Sequence, residues 1–182
     1  MIKKLLKRLI YRIRGEYTVD QLIDMGLKVG KNFNPQLGVE LDPSHCWLIE
    51  IGDNVTIAPH TQILAHDAST YASLGFTKIG RVSIGHNVFI GAGCIVLPNV
   101  KIGNNVIIGA GSVVSCSIPD NVVYAGNPAR YIGLLSDFIE KHKKQMESCP
   151  IYGEEYTLRK KINRERKSQQ ITELESQIGY VK

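Results

Sequence analysis

A branched aliphatic residue recurs every six positions through the middle of the chain. The phase holds without a break over residues 84–115, and it is kept upstream over residues 51–64. We call this recurring aliphatic residue the lead residue of its hexamer. A second small or branched residue follows each lead residue by four positions and precedes the next lead residue by two. Alternate residues of a strand point to the same face, so both members of each pair face inward and residues between them, such as Phe89 and Ile107, point outward. The lead residues are Ile51, Ile57, Ile63, Ile84, Ile90, Val96, Ile102, Ile108 and Val114.

Turn residues separate these short strands. Gly follows several of the lead residues, where it allows a tight turn or a positive φ. Asn in the pairs Asp53-Asn54, His86-Asn87 and Asn104-Asn105 tolerates the same conformations. Each hexamer is then one side of a triangular prism and three hexamers make one coil. The pattern predicts a mainly β fold, a parallel β-helix of hexapeptide repeats.

The phase fails over residues 67–78, which predicts a loop that leaves the prism. Long loops on a rigid scaffold often carry function. Apolar residues at helical spacing predict an amphipathic helix over 2–14, a second helix over 134–147 and a third within 155–178. We expect an N-terminal helix and cap over 1–28, the β-helix with its loop over 29–133, and a C-terminal helical extension over 134–182.

The net charge of +5 is concentrated in one arm, because residues 1–14 hold six bases and no acid. The remainder is close to neutral, which argues against a nucleic-acid-binding body. Two interpretations of the arm stay open. It covers the first coil as an end cap, or it makes peripheral contact with an anionic membrane. The four cysteines form no C-x-x-C pair and no apolar run is long enough to span a bilayer, so we expect a cytoplasmic protein.

His66 is the candidate for chemistry, since it stands immediately before the loop. A hydroxyl is a poor nucleophile at neutral pH, and an imidazole with the usual pKa of about 6.5 can take its proton during attack. The structural alternative is a histidine at the base of a loop that bonds a backbone carbonyl.

Residues 29–132 contain the hexamers, the stretch Ile63-Leu64-Ala65-His66-Asp67, and Gly126-Asn127-Pro128-Ala129-Arg130 at the end of the repeats. In these features they resemble the hexapeptide-repeat acyltransferases. The likeness is to maltose and galactoside O-acetyltransferases and to polysaccharide-cluster sugar acetyltransferases. It implies a left-handed β-helix, a homotrimer with active sites between subunits, and direct acetyl transfer from acetyl-CoA. It also implies that His66 is the catalytic base.

The resemblance assigns cofactor contacts as well. Cys116 stands where relatives often carry Lys, and Gly133 where a second Arg occurs, so the phosphate end departs from the family pattern. The residues that match cofactor contacts are Ala92 and Ala110 through their backbone, Ser115 along the groove, and Arg130 near the nucleotide phosphates.

Four residues are candidates for the acceptor. Asp42 and His45 carry groups that bond sugar hydroxyls, and Trp47 offers a face for stacking on a ring. The alternative is that this stretch caps the first coil with Trp47 in the core; the segment before Ile51 is longer than in the relatives. Asp67 orients the imidazole, binds the acceptor, or closes an Asx-turn.

The sequence therefore predicts an acetyl-CoA-dependent O-acetyltransferase that acts on a sugar or glycan precursor, with no metal. The alternatives are an N-acetyltransferase on an amino sugar, a serine O-acetyltransferase, a γ-carbonic-anhydrase-like metal hydratase and a non-enzymatic scaffold. The five histidines reveal no clear three-ligand set for a metal.

Overall fold

A computed structural model describes residues 16–182 of the chain. The helix predicted over 2–14 lies outside the described residues. The chain divides into two compact units, of which the first ends at Leu135 and the second runs from Ser136 to Lys182.

The first unit is built of short strands separated by turns. Its helices are α1 (Val19–Asp24) and α2 (Tyr71–Leu74). The strands are β1 (Lys28–Val29), β2 (Asn34–Pro35), β3 (Glu40–Leu41), β4 (Ile49–Ile51), β5 (Thr56–Ile57), β6 (Gln62–Ile63), β7 (His66–Asp67), β8 (Lys78–Ile79), β9 (Val82–Ile84), β10 (Phe89–Ile90), β11 (Ile95–Val96), β12 (Lys101–Ile102), β13 (Ile107–Ile108), β14 (Val113–Val114), β15 (Val122–Ala125) and β16 (Arg130–Leu134).

Successive strands join three parallel sheets in turn, which gives the three-sided coil that the hexamers predict. Sheet one has the order β1-β4-β9-β12, sheet two β2-β5-β10-β13-β15, and sheet three β3-β6-β11-β14. Ile90 pairs with Ile108, and Val96 with Val114, so one regular coil takes three hexamers. At the end of sheet two, β16 turns back and pairs antiparallel with β15.

The core of the coil consists of the residue pairs that the six-residue phase predicts. Every lead residue is at most 2% exposed, and Phe89, predicted to point outward, is 46% exposed. The partners four positions on are also buried. They are Val55, Thr61, Val88, Cys94, Val100, Val106, Ser112 and Ile118.

Asparagines form one corner of the prism, as predicted. Asn54, Asn87 and Asn105 adopt φ values of 56°, 56° and 55°. Their side-chain amides bond along the axis, because Asn54 Nδ2 donates to Asn87 Oδ1 and Asn87 Nδ2 donates to Asn105 Oδ1, each at 3.0 Å. At the next corner Gly91 is required, since a Cβ there would lie 2.5 Å from the backbone nitrogen of Ala110.

The predicted loop over 67–78 leaves the coil between sheets three and one. At its base β7 pairs antiparallel with β8. Between them stand a 3₁₀ turn over Ala68–Thr70 and the short helix α2.

The second unit contains the two helices predicted for the C-terminal extension. These are α3 (Leu135–Met146), which starts on the last residue of the first unit, and α4 (Arg164–Glu173). Strands β17 (Ile151–Tyr152) and β18 (Tyr180–Val181) pair in parallel within this unit. Over residues 16–182, no helix combines the length and apolar character needed to cross a bilayer.

The alternation of buried and exposed residues predicts unequal effects of two neighbouring substitutions in β12. Ile102 is 1% exposed and Lys101 is exposed. Ile102→Ala should lower the free energy of unfolding by about 2–5 kcal/mol, because it leaves a cavity. Lys101→Ala should change it by about 0.5 kcal/mol or less. Urea unfolding of both variants measures the difference, and equal losses would contradict the inward assignment of Ile102.

Candidate active site

Asp42 and His66 meet at the corner between sheets three and one. Asp42 directly follows β3, and His66 follows β6 on the next coil. Leu41 pairs with Ile63, so the two strands end side by side. The Asp42 Oδ2 atom lies 2.5 Å from His66 Nδ1.

The Asp42 carboxylate is buried and fully engaged. The residue is 1% exposed, and its oxygens also accept the backbone N–H groups of Ala65 at 2.9 Å and Ser44 at 3.1 Å. Burial acts to raise the pKa of Asp42, but the bond from His66 and those from the backbone outweigh it and leave the pKa below its usual value. The group is therefore ionised at neutral pH. We expected Asp42 to bond an acceptor hydroxyl, and a carboxylate buried in this way does not fit that expectation.

An ionised carboxylate only accepts hydrogen bonds, so His66 Nδ1 must donate to it. In the neutral ring this leaves Nε2 as the nitrogen that can take a proton. The side chain of His66 remains 35% exposed, whereas that of Asp42 is inaccessible. The pair has the arrangement of a general base and the carboxylate that orients it.

Beside the pair, a 3₁₀ turn over Cys46–Leu48 carries Trp47, and His45 immediately precedes it. Between them Cys46 is completely buried, with its Sγ 3.6 Å from the carbonyl oxygen of Leu22. The His45 ring lies 5.5 Å from the His66 ring and 5.2 Å from the Trp47 ring, measured between centroids. Trp47 is 53% exposed, so the alternative that it fills the core is wrong.

The Nδ1 atom of His45 is buried and has no hydrogen-bond partner among residues 16–182. A buried polar nitrogen without a partner is costly. The ring that carries this nitrogen lies next to the His66 ring.

Asp67 closes the base of the loop rather than contacting His66. Its Oδ1 accepts the backbone N–H of Ser69 at 2.8 Å, and its Oδ2 lies 2.6 Å from Lys78 Nζ. The bond to Lys78 and then those to Ser69 hold the pKa of Asp67 well below its usual range. Of the three interpretations of Asp67, the Asx-turn therefore fits the geometry. The carboxylate that contacts the imidazole of His66 is that of Asp42.

Three of the four residues matched to cofactor contacts, Ala92, Ala110 and Arg130, lie at the other edge of sheet three. Ala92 and Ala110 are exposed on successive coils between sheets two and three, where Gly111 N–H donates to the Ala92 carbonyl. Arg130 is exposed at the end of the same corner, one residue after Ala129, which donates its N–H to Val113 O.

Ser115 is exposed after β14, at the corner where His66 stands on an earlier coil. Within one chain, sheet three therefore separates Ala92, Ala110 and Arg130 from His66.

Sequence reasoning missed the convergence of Asp42, His45 and His66. Their potential ligand atoms lie within 4.8 Å of one another, so a three-residue set does exist. Two ligands about 2.1 Å from one tetrahedral ion lie more than 3 Å apart. The 2.5 Å contact between Asp42 and His66 therefore fits a hydrogen-bonded pair better than two ligands of one ion.

Comparison with known proteins finds related chains. A family model described as bacterial transferase hexapeptide, with six repeats, matches residues 81–116. Protein CapG of Staphylococcus aureus is 39% identical over 149 residues, which cover 77% of this chain and 83% of CapG.

Two solved structures share the fold. A maltose O-acetyltransferase from Clostridium difficile 630 is 46% identical with a TM-score of 0.53, over 60% of this chain and 59% of that one. A hexapeptide-repeat acetyltransferase from Vibrio cholerae, in complex with acetyl-CoA, is 28% identical with a TM-score of 0.54, over 60% and 61% of the two chains. This chain thus spans about three-fifths of each.

The lowered pKa of Asp42 predicts a specific dependence of stability on pH. A carboxylate whose pKa is lower in the folded state stabilises that state above its usual pKa of about 3.9, and this contribution is lost as the pH falls through the lower folded value. The difference in unfolding free energy between wild type and Asp42→Asn should therefore shrink as the pH falls below ~4.

Urea unfolding at several pH values measures this difference. Glu40→Gln is the matched control, because it removes an exposed carboxylate from the same coil. A difference for Asp42→Asn that stays constant down to strongly acidic pH would contradict the assignment.

Proposed function

The chain belongs to the hexapeptide-repeat acyltransferases, and we propose that it transfers the acetyl group of acetyl-CoA to a hydroxyl of a sugar or glycan precursor. The contact between buried Asp42 and His66 Nδ1 is the observation that carries this proposal. The solved relatives that support it are a maltose O-acetyltransferase and an acetyltransferase in complex with acetyl-CoA. The same relationship favours a left-handed coil.

The proposed reaction is a direct transfer. The acceptor oxygen attacks the thioester carbonyl while His66 Nε2 takes its proton. As the carbon–sulfur bond breaks, the departing thiolate takes that proton from the imidazolium. Asp42 keeps Nδ1 protonated throughout and stabilises the positive charge on the ring, as the carboxylate of a catalytic triad does. An amine acceptor would pass through the same steps and give an N-acetyl product.

Trp47 and His45 make the acceptor side of this site. An exposed indole offers an apolar face to a sugar ring, and the half-buried His45 ring has its centroid within 5.5 Å of the centroids of both Trp47 and His66. We assign Asp42 to the orientation of His66 rather than to the acceptor, because of its burial.

The donor residues support a homotrimer with the active site between subunits. Ala92, Ala110 and Arg130 lie across sheet three from His66 in one chain, so a second copy is needed to bring such a donor edge to the base. The loop beside His66 also exposes apolar side chains that a neighbouring subunit would cover; they are Tyr71, Leu74, Phe76 and Ile79. The mass of the particle in solution tests this assembly.

Replacing His66 tests the reaction. His66→Ala should lower kcat about a hundred- to ten-thousandfold, since a general base contributes about that much. Release of the CoA thiol is measured with a panel of sugars, nucleotide sugars, amino sugars, serine and thiogalactosides. His60→Ala is the matched control, because His60 is exposed and lies one hexamer earlier. Near-normal turnover of folded His66→Ala would refute the assignment.

Replacing Trp47 tests the acceptor side. Trp47→Ala should raise the KM for the acceptor about three- to tenfold, which corresponds to a typical aromatic stacking energy. The KM for acetyl-CoA should stay the same. Trp47→Phe keeps an aromatic face and should restore most of the affinity. Equal effects of the alanine variant on both KM values would remove Trp47 from the acceptor site.

A further inference from the structure

Residues 158–167, here called the basic turn, form a strongly basic segment of the second unit. They contain six bases and one acid. All six basic side chains are exposed. Neither the coil nor the reaction proposed above uses them.

Backbone hydrogen bonds hold the start of the basic turn in one shape. Leu158–Lys160 is a 3₁₀ turn, followed by Lys161 with φ 54°. Lys161 N–H donates to Leu158 O at 3.1 Å, and Ile162 N–H donates to Thr157 O at 3.2 Å. These bonds therefore give the backbone around Leu158 and the bases that follow it a defined conformation.

Two of the six bases are engaged within the unit. Lys160 Nζ lies 3.5 Å from a Glu154 oxygen, and the Arg166 guanidinium lies 5.6 Å from the centre of the Tyr156 ring. Within residues 16–182, the other four have no carboxylate at ion-pair distance. These four are Arg159, Lys161, Arg164 and Lys167.

Leu158 is the first residue of the basic turn. At 82% exposure it is the most exposed large apolar side chain of the described residues. A single exposed leucine is ordinary on a protein surface. A leucine in the same short segment as four unpaired cations is informative, because interfacial binding combines buried apolar area with attraction to anionic lipids.

We propose that the basic turn docks the protein on an anionic membrane surface. Leu158 enters the boundary between headgroups and acyl chains, and the four unpaired bases face lipid phosphates. A soluble polyanion would satisfy the charges but would leave the leucine in water, which favours the lipid surface. This site is separate in sequence from the basic arm over 1–14.

Co-sedimentation of the full-length protein with phosphatidylcholine vesicles, with and without phosphatidylglycerol, tests the proposal. Wild type should bind the anionic vesicles and be released by salt. R159E/K161E should weaken binding about tenfold or more, because each base near the surface contributes to the partition. L158S should weaken it up to about tenfold through the lost apolar contact.

Two control variants match these changes. K141E/K143E makes the same charge change on α3, and L37S removes a leucine that is 67% exposed in the first unit. Both should bind nearly as wild type does. Circular dichroism confirms folding, and R159Q/K161Q replaces the charge-reversed variant if that one misfolds.

The other outcomes each overturn the proposal. Wild-type binding by R159E/K161E would assign any membrane contact to another part of the chain, such as residues 1–14. Equal losses for R159E/K161E and K141E/K143E would mean that net charge alone attracts the protein. Wild-type binding by L158S alongside a loss in R159E/K161E would identify a polyanion site without lipid insertion.

Discussion

Hydrogen bonding between successive coils determines where the strand residues of the three sheets lie. From β4 onward, the strands of the coil pair in parallel with the strand one coil before them, except for β7, β8 and β16. The height and direction of a side chain therefore follow from its place in the repeat. Leu41 pairs with Ile63, and the residues that leave sheet three after these strands share one corner. The contact between Asp42 and His66 is thus a consequence of backbone register, and the stability of the coil preorganises it.

The active corner arises where the repeat is interrupted. In the first coil, the backbone N–H of Lys31 donates to the Asp53 side chain 22 residues later. In a regular coil, the corresponding separation, between Asn87 and Asn105, is 18 residues. The extra residues make the turn that buries Cys46 and exposes Trp47. The second interruption is the loop after His66, closed at its base by Asp67 and Lys78. A rigid frame with irregular segments at one corner is a common way to position catalytic groups.

The sequence predicts those parts of the structure that depend on the six-residue spacing or on contacts between residues close in the sequence. Ile90 and Val88 are buried because every repeat surrounds them with the same kind of neighbour, and the phase alone shows this. The Asx-turn of Asp67 spans two residues and is also visible in the sequence. By contrast, Asp42 contacts His66, which lies 24 residues later in the sequence. The extra residues in that coil break the six-residue spacing, so the strand register could not be derived from it. The sequence could not decide whether Trp47 is buried or exposed, because an aromatic residue suits both a core and an exposed stacking face.

The backward turn of β16 limits how such a molecule can grow. Because this strand runs antiparallel on the last strand of sheet two, it occupies the edge on which a further parallel coil would form. A parallel strand of another copy therefore cannot pair with β15 at the end of sheet two. Lengthening the prism at this end would require an additional coil before β15. Such an insertion would leave the contact between Asp42 and His66 intact if it fell after His66.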